Sequence, residues 1–350
     1  MAKPGCCVLS QSVSPHYALL GDILVDGQRM HALIDTGSSA LYFTWRDWYE
    51  RFTFKGACDW LETGCYVCST PCGSDPVTRI SHADQTAVSI SPRGGKLRLG
   101  STDVDSIAFG LVVAQDPLPD LIPPVNSIGL GIIPTSNYQS LMDQLRGRLG
   151  STTFAIYLKS NPSGRPLGEV ILGGGDPGKY VPPLRYVQLR SQQEYLVTIG
   201  TYQVGSGRKT IGINQDALID TGTQGLIVPQ FYVRGLLKDI TGQASDAVGG
   251  GRRVECTEIP GLSLCVFPCQ HRSYFPPIEI GLSPYGDVPI TISSSYYTRN
   301  LGGICSLAIA AAPPTLDRPR WSLPDFLLVD KYFEFQPSQG RIGIANLRSR

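Results

Sequence analysis

The stretch "ALIDTG" fills residues 32–37, and the same six letters return at residues 217–222. Asp35 and Asp220 are therefore 185 positions apart in a chain of 350. Each copy closes an apolar run and opens onto a hydroxyl residue, Ser38 in the first and Thr223 in the second. Upstream of the first copy, "YALLGDILVDGQRMHALIDTG" (residues 17–37) reads as a hairpin about Asp26-Gly27, a pair whose turn geometry matches strand twist. Upstream of the second, "KTIGINQDALIDTG" (residues 209–222) follows the same logic. Both aspartates are expected where a strand meets a glycine-containing loop.

Around these stretches the chain reads as mostly β. Its 39 glycines and 27 prolines punctuate short apolar runs without a collagen-like period. Helical spacing is rare. Leu141, Leu145 and Leu149 recur at four-residue intervals before Gly150, and Val233, Leu236, Leu237 and Ile240 share a face after Pro229. The formal net charge is +1, from 30 basic and 29 acidic residues, which excludes an electrostatic case for nucleic acid or a membrane surface as partner. No apolar run approaches the roughly 18–20 residues of a spanning helix. A Gly- and Pro-rich segment at residues 173–186 marks a boundary, giving an N-terminal lobe of 1–178 and a C-terminal lobe of 179–350, each with one hexamer. Repetition on this scale is duplication of a domain.

A doubled carboxylate has a chemical use. Two carboxylates held within about 3 Å cannot both ionise, so they share a proton. One then serves as base towards a water and the other as acid towards a carbonyl oxygen. Thr36 and Thr221 are placed to bond across to the opposite loop's backbone. Gly37 and Gly222 allow close approach, and Ser38 and Thr223 can each offer a hydroxyl to their own aspartate.

With these residues in view, "ALIDTGSSALYF" and "ALIDTGTQGLIVP" resemble the two active-site segments of the pepsin-like aspartic proteases. "SIGLGIIP" (residues 127–134) resembles the segment behind the first active-site loop, and "FLLVDKYFEFQPSQGRIGIA" resembles the closing segment. The resemblance covers nearly the whole chain beyond Tyr17. It implies a bilobal fold of two related β-barrel-like domains with a few short helices. It also implies an endopeptidase in which Asp35 and Asp220 are catalytic, acting as a monomer on a polypeptide substrate without cofactor or metal. Substrate would lie against Gly37, Gly222, Thr223, Tyr42 and Ile90, and Cys256–Cys305 would be the disulfide of the C-terminal domain. The competing reading is a binding or inhibitor module on the same fold.

Three departures from the family pattern stand out. The region expected to form the flap, "TAVSISPRGGKLRLGSTDV" (residues 86–104), has no Tyr; Val88 or Ile90 falls near its position, and "SPRGG" offers a turn. Pro324 stands where the family has Gly, so the loop behind Asp220 is expected to be built differently. Tyr42 replaces a usual Trp. Of the ten cysteines, Cys58, Cys65, Cys68 and Cys72 crowd one insertion. A C-x2-C pair raises zinc, but without a second such pair or a nearby His two local disulfides are favoured. Cys265 and Cys269 are expected to pair locally, and Cys6 and Cys7 to reach elsewhere. The four histidines, His16, His31, His82 and His271, fit no catalytic motif. This cysteine usage points to a secreted protein or a vacuolar or lysosomal lumen, although no signal peptide is visible at the N-terminus.

Overall fold

A computed structural model describes residues 7–13, 18–70, 72, 76–134, 138–161, 165–259, 264–313 and 319–348. Cys6 and His16 lie outside these residues. The first half of the chain forms β1 (Cys7–Val13), β2 (Leu19–Val25), β3 (Gln28–Asp35), β4 (Leu41–Thr44), β5 (Thr78–Ser81), β6 (Ala87–Leu99), β7 (Thr102–Asp116), β8 (Ser127–Gly129), β9 (Phe154–Lys159) and β10 (Leu167–Leu172). The second half adds β11 (Tyr180–Gln188), β12 (Leu196–Val204), β13 (Thr210–Ile219), β14 (Leu226–Val228), β15 (Thr257–Ile259), β16 (Leu264–Pro268), β17 (Ile278–Leu282) and β18 (Val288–Ile292). It ends with β19 (Thr298–Asn300), β20 (Ile304–Leu307), β21 (Ile309–Ala311), β22 (Trp321–Leu323), β23 (Lys331–Gln336) and β24 (Arg341–Leu347).

The first hairpin forms as its letters suggest. Asp26 and Gly27 both take positive φ (49° and 81°), the geometry that a two-residue turn between twisted strands requires. This turn sets Val25 opposite Gln28 and Leu20 opposite Leu33. Met30, Ala32 and Ile34 then point into the core while Arg29 faces solvent.

Six strands close a barrel in the order β2–β3–β8–β4–β7–β6, with β6 returning to β2 through Leu24–Arg98 and Val25–Leu97. The second half repeats this plan. β12–β13 is antiparallel, β13–β22 parallel, β22–β14 antiparallel and β14–β21 parallel. The matching steps β2–β3, β3–β8, β8–β4 and β4–β7 have the same senses. The doubled hexamer is thus the visible trace of a doubled topology. Strands β1, β9, β10, β11, β23 and β24 pair in one antiparallel run that draws on both halves.

Both expected helices are present. α2 (Leu141–Leu149) comes after α1 (Arg46–Phe52); Ser140 caps it by accepting from Asp143 N–H, and Gly150 ends it in the left-handed region. α3 (Gln230–Val248) runs further than the four-residue pattern indicated, burying Val233, Leu236, Ile240 and Ala244. A fourth, α4 (Ser294–Tyr297), is a single turn.

The cysteines correct two expected pairings and match the two local disulfides of the insertion. Cys58–Cys65 and Cys68–Cys72 are the two local disulfides of the insertion. Cys256 does not pair with Cys305, nor Cys265 with Cys269: the bonds are Cys256–Cys265 and Cys269–Cys305. Strand register explains the exchange. β15 pairs with β16 so that Glu258 faces Cys265, which brings Cys256 close to that residue. β16 pairs with β20 so that Pro268 faces Ile304, which leaves Cys269 beside Cys305. The Cα–Cα distance is 4.8 Å in both pairs. Cys7 lies buried in β1, opposite Leu172.

Candidate active site

β3 and β13 each carry an aspartate to the same place. β8 runs parallel beside β3, setting Asp35 opposite Gly129, and β22 runs parallel beside β13 with Ile219 opposite Leu323. The two loops meet through a reciprocal exchange. Thr36 Oγ1 donates to Ile219 O (2.8 Å) and Thr221 Oγ1 to Ile34 O (2.5 Å). Each hydroxyl then accepts the other threonine's backbone N–H at 3.1 Å. All of these groups are buried, so every donor and acceptor in the exchange would lack a partner without its opposite.

The exchange brings the carboxyl groups of Asp35 and Asp220 together: a single point, the Cβ position on Gly222, lies 2.6 Å from Asp35 Oδ1 and 3.2 Å from Asp220 Oδ1. Gly37 N–H donates to Asp35 Oδ1 at 2.8 Å, and Gly222 N–H to Asp220 Oδ1 at 3.0 Å. Both glycines are sterically required. A Cβ on Gly37 would sit 2.5 Å from Asp220 Oδ1, and one on Gly222 would sit 2.6 Å from Asp35 Oδ1. Thr223 Oγ1 donates to Asp220 Oδ2 at 2.7 Å. For Asp35 the corresponding bond comes from the Ser38 backbone N–H (3.2 Å), while the Ser38 hydroxyl lies buried beside the carboxylate without a bond of normal geometry.

Burial is the main force on both acids. It pushes Asp220 up to about 7, helped by the charge of Asp35, against the Thr223 hydroxyl and Gly222 N–H. Burial raises Asp35 too, opposed first by the Gly37 N–H. Their contact acts in opposite directions, raising Asp220 and lowering Asp35. The pair therefore holds one proton on the Asp220 side well above the usual carboxylate range, and it titrates as a unit.

Two expectations about the surroundings change. Ile90, offered as a substrate contact, is fully buried in a side core with Tyr42, Trp48, Val88 and Val112. "SPRGG" is not a turn. Ser91–Leu111, Pro92–Gly110, Arg93–Phe109 and Gly94–Ala108 continue the β6–β7 ladder, and the chain reverses only between Leu99 and Thr102. That reversal lies against β1, where a Cβ on Gly100 would strike the Val8 carbonyl. The hairpin that reaches towards the carboxylates is instead β5–β6, with His82 in its turn. Pro324 occupies the register position that Gly129 holds in the first half. Gly129 donates to Ala40 O at 2.9 Å, a bond that proline cannot make. Asp220 N–H donates to Leu323 O at 2.9 Å.

Two further residues carried no signal in the sequence. Asp325, just past Pro324, is buried, and burial pushes it up to about 7 against the charge of Arg299. His82, in the turn between β5 and β6, sits 3.4 Å from the Tyr42 hydroxyl through its Nε2. Tyr42, also offered as a substrate contact, is buried in the same side core, on β4 opposite Ser127 and within the field of Asp35. No cluster of three or more His, Cys, Asp or Glu able to hold a metal occurs among the described residues.

A closed six-stranded barrel, a second half that repeats its strand senses, and an aspartate brought from each half to one place define a pepsin-like acid protease fold, and the family comparison agrees: the chain belongs to the eukaryotic aspartyl protease family, whose model matches residues 20–347. Mouse napsin-A is 25% identical over 99% of this chain and 81% of its own length. Human cathepsin D is 25% identical over 78% of this chain and 64% of its own length, and dog pepsin B is 28% identical over 59% and 49%.

Proposed function

We propose that the protein is an aspartic endopeptidase that cleaves polypeptides at the Asp35/Asp220 pair. The observation that carries this reading is the Thr36–Thr221 exchange, which holds Asp35 and Asp220 together so that each shifts the other's ionisation, with Asp220 pushed up to about 7. Asp35, the more acidic partner, takes a proton from a water that attacks the peptide carbonyl. Asp220 gives its proton to the carbonyl oxygen as the tetrahedral intermediate forms. The proton acquired by Asp35 then passes to the leaving amine. The Thr36–Thr221 exchange fixes the distance between the two carboxylates and so supplies the preorganisation. The chemistry needs no cofactor. Four disulfides support an oxidising compartment, secreted or luminal, as the place of action.

One observation favours the second reading, a peptide-binding module: the hairpin that reaches towards the pair, β5–β6, carries His82 and no tyrosine. A library of extended peptides, assayed from acid to neutral pH beside an Asp35→Asn control, separates the two. Cleavage by the wild type and none by the control supports the endopeptidase. Tight binding without cleavage at any pH supports the module.

A further inference from the structure

His82 reaches the site from an element built to hold it still. In the turn between β5 and β6, His82 N–H donates to Thr86 O (2.8 Å) and Gln85 N–H to His82 O (3.1 Å). Asp84 Oδ1 accepts from the Thr86 N–H (3.0 Å) and hydroxyl (2.8 Å). Gln85 takes the left-handed conformation, with φ 72°. The turn is therefore tied at both ends, and the imidazole it presents is only partly exposed. Nε2 of that ring meets the buried hydroxyl of Tyr42. The charge of Asp220 acts on the ring, and the charge of Asp35 acts on Tyr42. His82 is thus one hydrogen bond away from a residue in the field of one carboxylate, and itself in the field of the other.

We propose that His82 is a positioning residue that sets the direction of the Tyr42 hydroxyl beside the Asp35/Asp220 pair and makes substrate binding depend on imidazole protonation, a role that rests on the endopeptidase reading above. Tyr42 keeps its own proton, because burial first, and then the charges of Asp35 and Asp84, raise it. A neutral ring carries its proton on Nδ1 and accepts the Tyr42 O–H at Nε2. A protonated ring donates from Nε2 to the Tyr42 oxygen, so the Tyr42 O–H must turn away from it, towards Ser127 on β8. No proton passes between the two side chains; the hydrogen bond reverses its sense. Binding a peptide over a charged, half-buried ring costs more desolvation than binding over a neutral one. KM therefore rises on the acid side of the switch.

The groups acting on this ring come from several elements. Asp84 lies on its own turn, Asp220 follows β13, and Tyr42 on β4 stands between the ring and Asp35. Burial lowers the ring's ionisation more than Asp84 and Asp220 raise it, which sets the switch below the ordinary histidine value of 6.5. His31 provides the control: it lies on β3, paired with Asp22 at 2.7 Å.

Two measurements on the full chain test the proposal. The first is KM against pH for wild type, His82→Gln and His31→Gln. The expected result is a rise in KM below pH 6.5 in wild type and His31→Gln, and none in His82→Gln, which keeps a hydrogen-bonding side chain but cannot titrate. The same rise in His82→Gln overturns the proposal. The second is the NMR titration of the His82 ring, which needs no activity. Tyr42→Phe removes the donor that favours the neutral ring, so the midpoint should rise by about half a pH unit. An unmoved midpoint overturns the proposal even if peptides are cleaved. A midpoint that moves in a protein that cleaves nothing retains the His82–Tyr42 pair and removes the endopeptidase reading.

Discussion

Asp35 and Asp220 were legible because the chain writes its site twice, and so were Thr36 and Thr221, whose exchange follows from the same doubling. Gly37 and Gly222 were legible as close-approach positions, and the structure shows what they approach: each faces the opposite carboxylate. Gly37→Ala should therefore act on chemistry more than on folding. A methyl group 2.5 Å from Asp220 Oδ1 must push that carboxylate aside. A displacement of this order costs about 100-fold in kcat/KM. Steady-state kinetics beside a thermal melt will check it; a variant with wild-type kcat/KM would mean that the carboxylate spacing does not matter. His82 and Asp325 were illegible for a plain reason. Neither belongs to the repeat, and only tertiary structure brings a turn residue towards the pair or buries a carboxyl after Pro324.

At the scale of elements, the strands leading to each aspartate could be read from alternation and turn chemistry, but pairing between distant strands could not. The disulfides show this. Cys256 and Cys305 fit the family's spacing, yet the registers of β15–β16 and β16–β20 assign them different partners. Non-reducing peptide mapping should find Cys256 linked to Cys265 and Cys269 linked to Cys305. The second bond spans 36 positions and the first spans 9. Chain entropy then gives about 4 kcal/mol for the longer loop and about 3 kcal/mol for the shorter. Removing Cys269–Cys305 should lower the denaturant midpoint further than removing Cys256–Cys265, and the reverse order would contradict the pairing. The misread turn at "SPRGG" has a similar cause. Ser91, Pro92, Arg93, Gly94 and Gly95 look like a turn in isolation, but a fifteen-residue partner, β7, holds them extended. The Thr36–Thr221 exchange belongs to this scale as well. Thr221→Val strips the hydroxyl donor from Ile34 O and the acceptor from Thr36 N–H, leaving both buried without partners. The expected cost is about 1–3 kcal/mol per orphaned group, read from urea unfolding.

Across the whole molecule, the buried acids tie stability to pH. Asp325 and Asp220 are each raised from 3.8 to about 7. Between those values the folded state binds more protons than the unfolded chain, so stability falls as pH rises. The stabilisation is complete below about pH 4 and lost through pH 7. For Asp325 alone the slope is at most about 1.4 kcal/mol per pH unit. Asp325→Asn, which removes that titration, should flatten the decline between pH 5 and 7 in urea-unfolding series. An equally steep decline would show that Asp325 does not titrate in this range.

The same raised ionisation bears on the central claim, that two carboxylates share one proton and use it to break peptide bonds. The direct measurement is kcat/KM against pH on one extended hydrophobic peptide, for wild type, Asp35→Asn and Asp220→Asn. Wild type should be active in acid and lose activity as pH rises towards about 7, where the Asp220 proton is given up. Each variant should fall below about a hundredth of the wild-type rate at every pH, since neither acid can do the other's work. Activity that climbs steadily to pH 8, or a variant that keeps more than that fraction, would contradict the account.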